Sequence, residues 1–164
     1  MEKENNISEK VSIFDYVKGK DGKCKLHKKK SVYVENIFIT KAVEAVEVIR
    51  SAFNLKHLTE EYVWMLTLNA DGRLTGIFEI SHGHLLGTVI NIRGIFARAL
   101  MLNASDIIVV HKHVSGRCEP SGCDKQVYQN LKDAAKIMEM SVGDSLIVSD
   151  KKYYSFDEHE KSEE

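Results

Sequence analysis

Two histidines stand where a short apolar segment ends. Residues 107–110 are four consecutive aliphatic residues, and His111 and His113 follow with one residue between them. Residues two apart in an extended backbone project to the same side, so both imidazoles can face one point beyond the strand. Neutral imidazoles are common zinc ligands. The spacing therefore predicts a metal site at the end of a buried strand.

Asp124 is the natural third ligand for this site. Pro120 and Ser121 indicate the start of a long helix, which puts Asp124 in its first turn. Three protein ligands would leave the fourth position of a zinc ion open, as in catalytic rather than structural sites. Ser121 and Asp124 also form the Ser-x-x-Asp pattern of a helix cap, which is the competing interpretation. The preceding histidine pair favours the metal site, because a cap does not need it.

These residues resemble the RadC-like branch of the JAMM (MPN-domain) zinc metallopeptidase superfamily. The resemblance rests on residue types and intervals at His111, His113, Ser115-Gly116, Pro120-Ser121 and Asp124. It extends to segments 61–69, 80–85, 93–103 and 143–156, and covers roughly residues 32–157.

The resemblance implies roles for five residues. His111, His113 and Asp124 would be zinc ligands, Glu61 the general base, and Ser121 a hydrogen-bond donor to the oxyanion. Zinc makes water acidic enough to attack a carbonyl, and a carboxylate can take the remaining proton. The implied activity is hydrolysis of an amide or isopeptide bond in an unknown protein or peptide substrate.

Several positions leave alternatives open. Glu60 competes with Glu61 as the base, and adjacent strand residues point to opposite faces. Three residues depart from the family pattern: Val114 replaces a usual proline, Lys112 a usual asparagine and Gly94 a usual acid. Strand alternation should turn Lys112 away from the metal. The inferred ligands are intact, and both an active and a partly disabled enzyme fit the pattern.

Other candidate groups have weaker patterns. Cys118 and Cys123 could join the histidine pair in a closed, structural zinc site, although their spacing is unusual for one. His82 and His84 form a second histidine pair, for which a turn or strand-end role is favoured. Asp144 resembles a family acid at the start of the last hairpin, where it can also accept backbone amides.

Strand and helix signals alternate between residues 32 and 156, which predicts an α/β domain with a mixed sheet flanked by helices. The resemblance implies the same layered architecture, that of JAMM/MPN and cytidine-deaminase-like domains. Strands are predicted over 32–39, 61–68, 73–81, 106–110, 145–148 and 152–156, and helices after Thr40, over 92–102 and over 121–140.

Composition excludes several classes of protein. The 164 residues suit one domain, and 23 basic against 24 acidic residues exclude a globally basic nucleic-acid binder. No apolar run could cross a bilayer, no signal peptide is apparent, and three cysteines argue against a disulfide framework. We therefore expect a cytoplasmic protein without membrane contact.

The ends of the chain are strongly charged. Residues 1–31 are predicted to be a flexible, lysine-rich arm, and residues 158–164 an acidic tail. The lysines from Lys18 to Lys30 suggest a solubilising tail or a weak nucleic-acid contact. The alternative function is therefore a non-catalytic protein- or DNA-binding module on the same fold, linked to DNA repair or mobile elements.

Overall fold

The computed structural model describes residues 8–83 and 90–163. Over these residues there are seven strands: β1 (Glu9–Lys18), β2 (Cys24–Val34), β3 (Glu61–Leu68), β4 (Leu74–Gly83), β5 (Asp106–Lys112), β6 (Ser141–Val148) and β7 (Tyr153–Ser155). The α-helices there are α1 (Ala42–Ala52), α2 (Ile92–Met101), α3 (Gly122–Ile137) and α4 (Phe156–Glu163). Among the described helices, none has the length and apolar character needed to cross a membrane.

All seven strands form one mixed sheet in the order β2-β1-β4-β3-β5-β6-β7. Neighbouring strands are antiparallel except for the parallel pairs β1–β4 and β5–β6. The predicted α/β class, with a mixed sheet flanked by helices, is confirmed. The sheet places β3 at its centre, beside β5, so the strand that carries Glu61 lies next to the strand that carries His111.

The central strand is buried on both faces. Trp64 and Leu66 point to one apolar cluster, which includes the buried face of α1. Val63 and Met65 point to a second cluster, on the opposite face, which includes residues of α2 and α3. This double burial explains why β3 reads as a continuous apolar run instead of an alternating one.

Most predicted elements are present, with shifted ends. The strand predicted over 61–68 has those bounds as β3. The helix predicted after Thr40 begins at Ala42, with Lys41 as its N-cap. The backbone N–H groups of Thr40 and Lys41 donate to the Glu44 carboxylate at 2.6 and 2.9 Å. An acid in the first turn thus satisfies the backbone N–H groups at the start of the helix.

The chain ends differ from the prediction. In place of a flexible arm, β1 and β2 form an antiparallel hairpin whose Val11, Ile13 and Val34 are buried in the α1-side cluster. The acidic end of the chain is helical as far as Glu163, the last residue of α4. The lysine cluster dominates the sequence of this segment, so the apolar alternation that anchors the hairpin was not recognised. The domain limits at 32 and 157 remain a prediction.

One buried carboxylate joins the last three elements. Asp144 of β6 accepts hydrogen bonds from the Ser155 hydroxyl at 2.6 Å and from the backbone N–H groups of Ser145 and Asp157 at 2.7 and 3.1 Å. Burial raises the pKa of Asp144 to about 6, and these hydrogen bonds only partly oppose that effect. Asp144 therefore accepts backbone amides, as predicted, but inside the sheet instead of in a turn.

The raised pKa of Asp144 predicts a pH dependence of stability. The native state binds this proton more tightly than the unfolded chain, so its contribution to the free energy of unfolding is complete below about pH 4 and is lost as pH rises through about 6. The contribution is about 3 kcal/mol, at 1.36 kcal/mol per pKa unit. We expect Asp144→Asn to remove this dependence, as measured by urea unfolding across that pH range.

The matched control is Asp71→Asn, which changes an exposed aspartate in the turn between β3 and β4. Its stability relative to the wild type should not change with pH in this way. A stability difference between Asp144→Asn and the wild type that is constant from acid to neutral pH would contradict the prediction.

Candidate metal centre

Strand register brings two of the candidate side chains to one face of the sheet. In the antiparallel pair of β3 and β5, Val63 lies opposite His111. Val63 and Val109 both belong to the cluster on the α2 and α3 side. Because side chains two apart in a strand share a face, Glu61 and His111 project toward that same side.

A further side chain comes from the start of α3. Ser121 is the N-cap: its hydroxyl accepts from the Asp124 N–H at 3.2 Å, and its own N–H donates to Asp124 Oδ2 at 2.7 Å. The Ser121 hydroxyl also donates to Asp124 Oδ2 at 2.5 Å. The capping interpretation is therefore right, and the cap holds the carboxylate against the histidines.

Asp124 contacts both imidazoles. His111 Nδ1 lies 3.0 Å from Asp124 Oδ1, and His113 Nε2 lies 3.4 Å from Asp124 Oδ2. The two rings are edge-to-face, with centroids 4.5 Å apart. One ligand atom from each of these three residues can be chosen so that all lie within 4.8 Å of one another. In the described part of the chain, this is the one such cluster of metal-ligating side chains.

The nitrogen atoms of this cluster fit a bound cation. His111 donates its Nδ1–H to Asp124. In the neutral ring, the other nitrogen, Nε2, therefore carries a free lone pair. That Nε2 is buried without a hydrogen bond among the described residues, although Glu61 Oε2 is 3.4 Å away. A buried polar atom without a partner is costly, and a metal ion would satisfy it.

A backbone carbonyl orients the second histidine. His113 Nδ1 donates to the Arg117 carbonyl oxygen at 3.1 Å. Metal-binding histidines typically make such a bond through the other ring nitrogen, which directs the free lone pair at the ion. The sequence did not reveal this partner, because any residue in the loop after His113 supplies a carbonyl.

Charge in the site also favours a cation. Burial alone would raise the pKa of Asp124, but hydrogen bonds from His111, His113 and Ser121 outweigh it and hold that pKa well below its usual range. The Asp124 carboxylate, 3.4 Å from Nε2, raises the pKa of His113 against the opposing effect of burial. A ligating imidazole must be neutral, and with both rings neutral Glu61 and Asp124 give the cluster two negative charges, which suit a divalent ion.

A family profile described as "RadC-like JAB domain" matches residues 39–161, well over half of the chain. The chain belongs to the RadC-like JAB domain family. This membership confirms the resemblance drawn from the histidine, serine and aspartate spacing.

The RadC-like domain is similar to several UPF0758 proteins. It is 35% identical over 99 residues to a UPF0758 protein of Flavobacterium johnsoniae, covering 60% of this chain and 43% of that protein. It is 36% identical over 102 residues to the UPF0758 protein YfjY of Escherichia coli, covering 62% and 64%. It is 35% identical over 104 residues to a UPF0758 protein of Alkaliphilus metalliredigens, covering 63% and 45%. The chain thus spans about half the length of the curated relatives it matches.

The structure decides between adjacent residues of the RadC-like domain. Glu61, and not Glu60, faces His111, while Glu60 is exposed. Lys112 points to the opposite side of the sheet, where it is buried with Nζ 3.5 Å from the Glu60 carbonyl oxygen. Strand alternation therefore keeps the ammonium away from the cluster, as expected. Val114, beyond the strand, is partly exposed.

The other candidate ligands lie elsewhere. Cys118 packs against the small cluster around Tyr128, and Cys123 is exposed, so neither thiol joins the described metal-ligating group. His82 Nδ1 is 2.8 Å from Glu79, and His84 lies outside the described residues. A closed site built from both cysteines is therefore not the arrangement that these side chains adopt.

The capping role of Ser121 can be measured separately from metal binding. We expect Ser121→Ala to lower the free energy of unfolding by about 1 kcal/mol, because the N-cap acceptor is lost. Metal content should stay near that of the wild type, since the hydroxyl contacts Asp124 and is not one of the three candidate ligands. Chemical unfolding and metal analysis provide the two measurements.

Cys123→Ala is the control, because Cys123 is exposed in the same helical turn. It should leave stability nearly unchanged. Equal stability of Ser121→Ala and Cys123→Ala would show that the capping box contributes nothing measurable.

Proposed function

We propose that the RadC-like domain is a zinc-dependent hydrolase that cleaves an amide or isopeptide bond in a protein or peptide. The observation that carries the proposal is the buried Nε2 of His111, which has no hydrogen bond among the described residues and lies 3.4 Å from Glu61 Oε2. The same ring contacts Asp124 through Nδ1 and meets the His113 ring edge-to-face. Two imidazoles and one carboxylate are a ligand set typical of catalytic zinc, which keeps a position open for substrate or water.

His111, His113 and Asp124 are the residues that would hold the ion. A bound zinc ion supplies Lewis acidity, which polarises a carbonyl and makes water acidic enough to attack it at neutral pH. The three side chains that would hold the ion are partly enclosed by the protein, because they are only 13–14% exposed. In such a partly dry site, charges interact more strongly than they do in water.

The position of Glu61 supports a role in proton transfer. Its side chain is 15% exposed, and its Oε2 lies 3.4 Å from His111 Nε2, beside the ligands but outside the capping network. A carboxylate there can take a proton from the attacking water and pass it to the leaving amine. Glu60 has no comparable position, because it is exposed.

Ser121 carries two tasks in this proposal. Its backbone N–H holds Asp124 Oδ2 at 2.7 Å, which keeps the carboxylate in place. The hydroxyl, which also donates to Oδ2, would turn to the substrate oxygen as negative charge develops there. The N–H bond lets Asp124 keep a partner during that exchange.

Zinc binding is the first test. We expect about one zinc ion per chain in protein prepared with zinc, and a loss of that ion in His113→Ala, because one of three ligands is removed. His57→Ala is the control, because His57 is exposed and outside the cluster. Metal analysis of both variants gives the comparison.

X-ray absorption at the zinc edge identifies the ligands. Nitrogen and oxygen ligands at about 2.0–2.2 Å, with no sulfur shell at about 2.3 Å, are expected. A wild-type protein that stays metal-free in excess zinc would contradict the proposal and favour a non-catalytic module. A sulfur shell would instead support the closed, structural zinc site that includes Cys118 and Cys123.

The base is tested by a pair of neighbouring variants. Glu61→Gln should keep zinc and lose about 10²–10⁴-fold in turnover, because the proton acceptor is removed. Glu60→Gln makes the same chemical change one residue earlier and should keep both. Cleavage of a panel of fluorogenic peptides and isopeptides is the measurement. Normal turnover in Glu61→Gln would reject Glu61 as the base.

A further inference from the structure

Residues 15–30 form the outer part of the N-terminal hairpin, which we call the ribbon because most of it has only two strands. Strand β1 pairs with β4 only at Ile13 and Phe14, opposite Ile77 and Phe78. A register shift between Ile13 and Phe14 marks a bulge there. In the described chain, residues 15–18 of β1 pair only with residues 24–27 of β2. Bulges bend strands, and this one coincides with the point where the ribbon leaves the sheet.

The ribbon carries dense positive charge. Between Asp15 and Lys30 there are seven lysines and two aspartates, a formal charge of +5 in a chain whose total is −1. All seven are exposed: Lys18, Lys20, Lys23, Lys25, Lys28, Lys29 and Lys30. Among the described residues, Lys29 alone of these has a carboxylate partner, Asp15 at 3.9 Å. Most of this charge is therefore available to a ligand.

The lysines occupy both faces of the hairpin. Lys25 lies opposite Val17, whereas Lys28 lies opposite Phe14, whose ring contacts Phe78 on the α2 side of the sheet. Arg98 of α2 extends the positive surface on that side, where its guanidinium lies 5.2 Å from the centre of the Tyr16 ring. A bound polyanion could thus contact positive charge along the ribbon as well as at its tip.

We propose that this ribbon binds the phosphodiester backbone of double-stranded nucleic acid without sequence preference. Lysine side chains contact phosphate oxygens, and residues 18–30 contain no Arg, Asn or Gln, which are among the main side chains that read base edges. Residues 18–30 also lack Phe, Tyr and Trp, and their one aliphatic side chain, Leu26, packs against the core. Tyr16, on the first strand of the ribbon, is covered by the Arg98 guanidinium. Protein interfaces and membranes use such apolar anchors, so the charge pattern fits nucleic acid best.

The ribbon lies outside the region that the family profile matches but near the candidate metal centre. The family match begins at residue 39, after β2 has ended. Because β1 runs parallel to β4, its C-terminal end lies at the same end of the sheet as the pair formed by Gly83 of β4 and Glu61 of β3. At about 4.8 Å per strand, β1 is about 10 Å from β3. Nucleic acid on the ribbon would thus lie at the same edge as the metal centre.

The test compares two variants with equal charge changes. Lys20, Lys23, Lys25 and Lys28 are changed together to Gln in the ribbon. In the control, the exposed Lys56, Lys136, Lys151 and Lys152 are changed together to Gln elsewhere. Binding to a fluorescent random-sequence duplex is measured by anisotropy at several salt concentrations, with single-stranded DNA and duplex RNA as further probes.

We expect the wild type and the control to bind the duplex about equally. The ribbon variant should bind roughly ten-fold or more weakly, and its plot of log affinity against log salt should be shallower by about 0.9 for each phosphate that it no longer neutralises. Zinc content should be unchanged in both variants. The result is therefore independent of whether the hydrolase proposal holds.

Three outcomes would overturn the proposal. The wild type fails to bind duplex at low salt, the ribbon variant keeps the wild-type affinity and salt slope, or the control loses as much affinity as the ribbon variant. Tighter binding of a labelled acidic peptide than of a duplex with equal charge would overturn it in favour of an acidic protein partner. Circular dichroism shows that each variant is folded.

Discussion

The carboxylate of Asp124 is the interaction on which the candidate site depends. It completes the capping box with Ser121 and at the same time contacts both His111 and His113. The start of α3 and the end of β5 are therefore joined through one side chain. An acid in the first turn also interacts favourably with the helix dipole. Helix formation thus delivers an ionised carboxylate to two imidazoles without a separate element to position it.

Strand alternation separates the charges around this site. His111 projects to the face that α3 covers, and the next residue, Lys112, is buried on the other face. Burial lowers the pKa of Lys112, an effect that Glu61 and Asp150 partly oppose. Had the ammonium shared the face of the histidines, it would have repelled a divalent cation. The sheet itself therefore keeps a lysine next to two candidate metal ligands in sequence but apart from them in space.

The domain combines the region that the family profile matches with a hairpin that precedes it. The matched region contributes a compact, negatively charged cluster at the end of β5, and the hairpin contributes a positive ribbon that continues the same sheet. The two surfaces have opposite charge and different chemistry, so they suit different ligands. Their common sheet edge follows from the parallel pairing of β1 with β4.

The sequence by itself determined the features that depend on local spacing: the α/β class, the bounds of β3, the histidine pair and the Ser121–Asp124 cap. These features depend on the periodicity of strands and helices, which can be recognised from residues close together in the sequence. Tertiary structure alone decided that residues 9–34 join the sheet, because β1 is held there by pairing with β4, a strand far away along the chain. It also decided that Glu61, and not Glu60, faces His111, since the register between β3 and β5 sets the face, and no local pattern encodes that register.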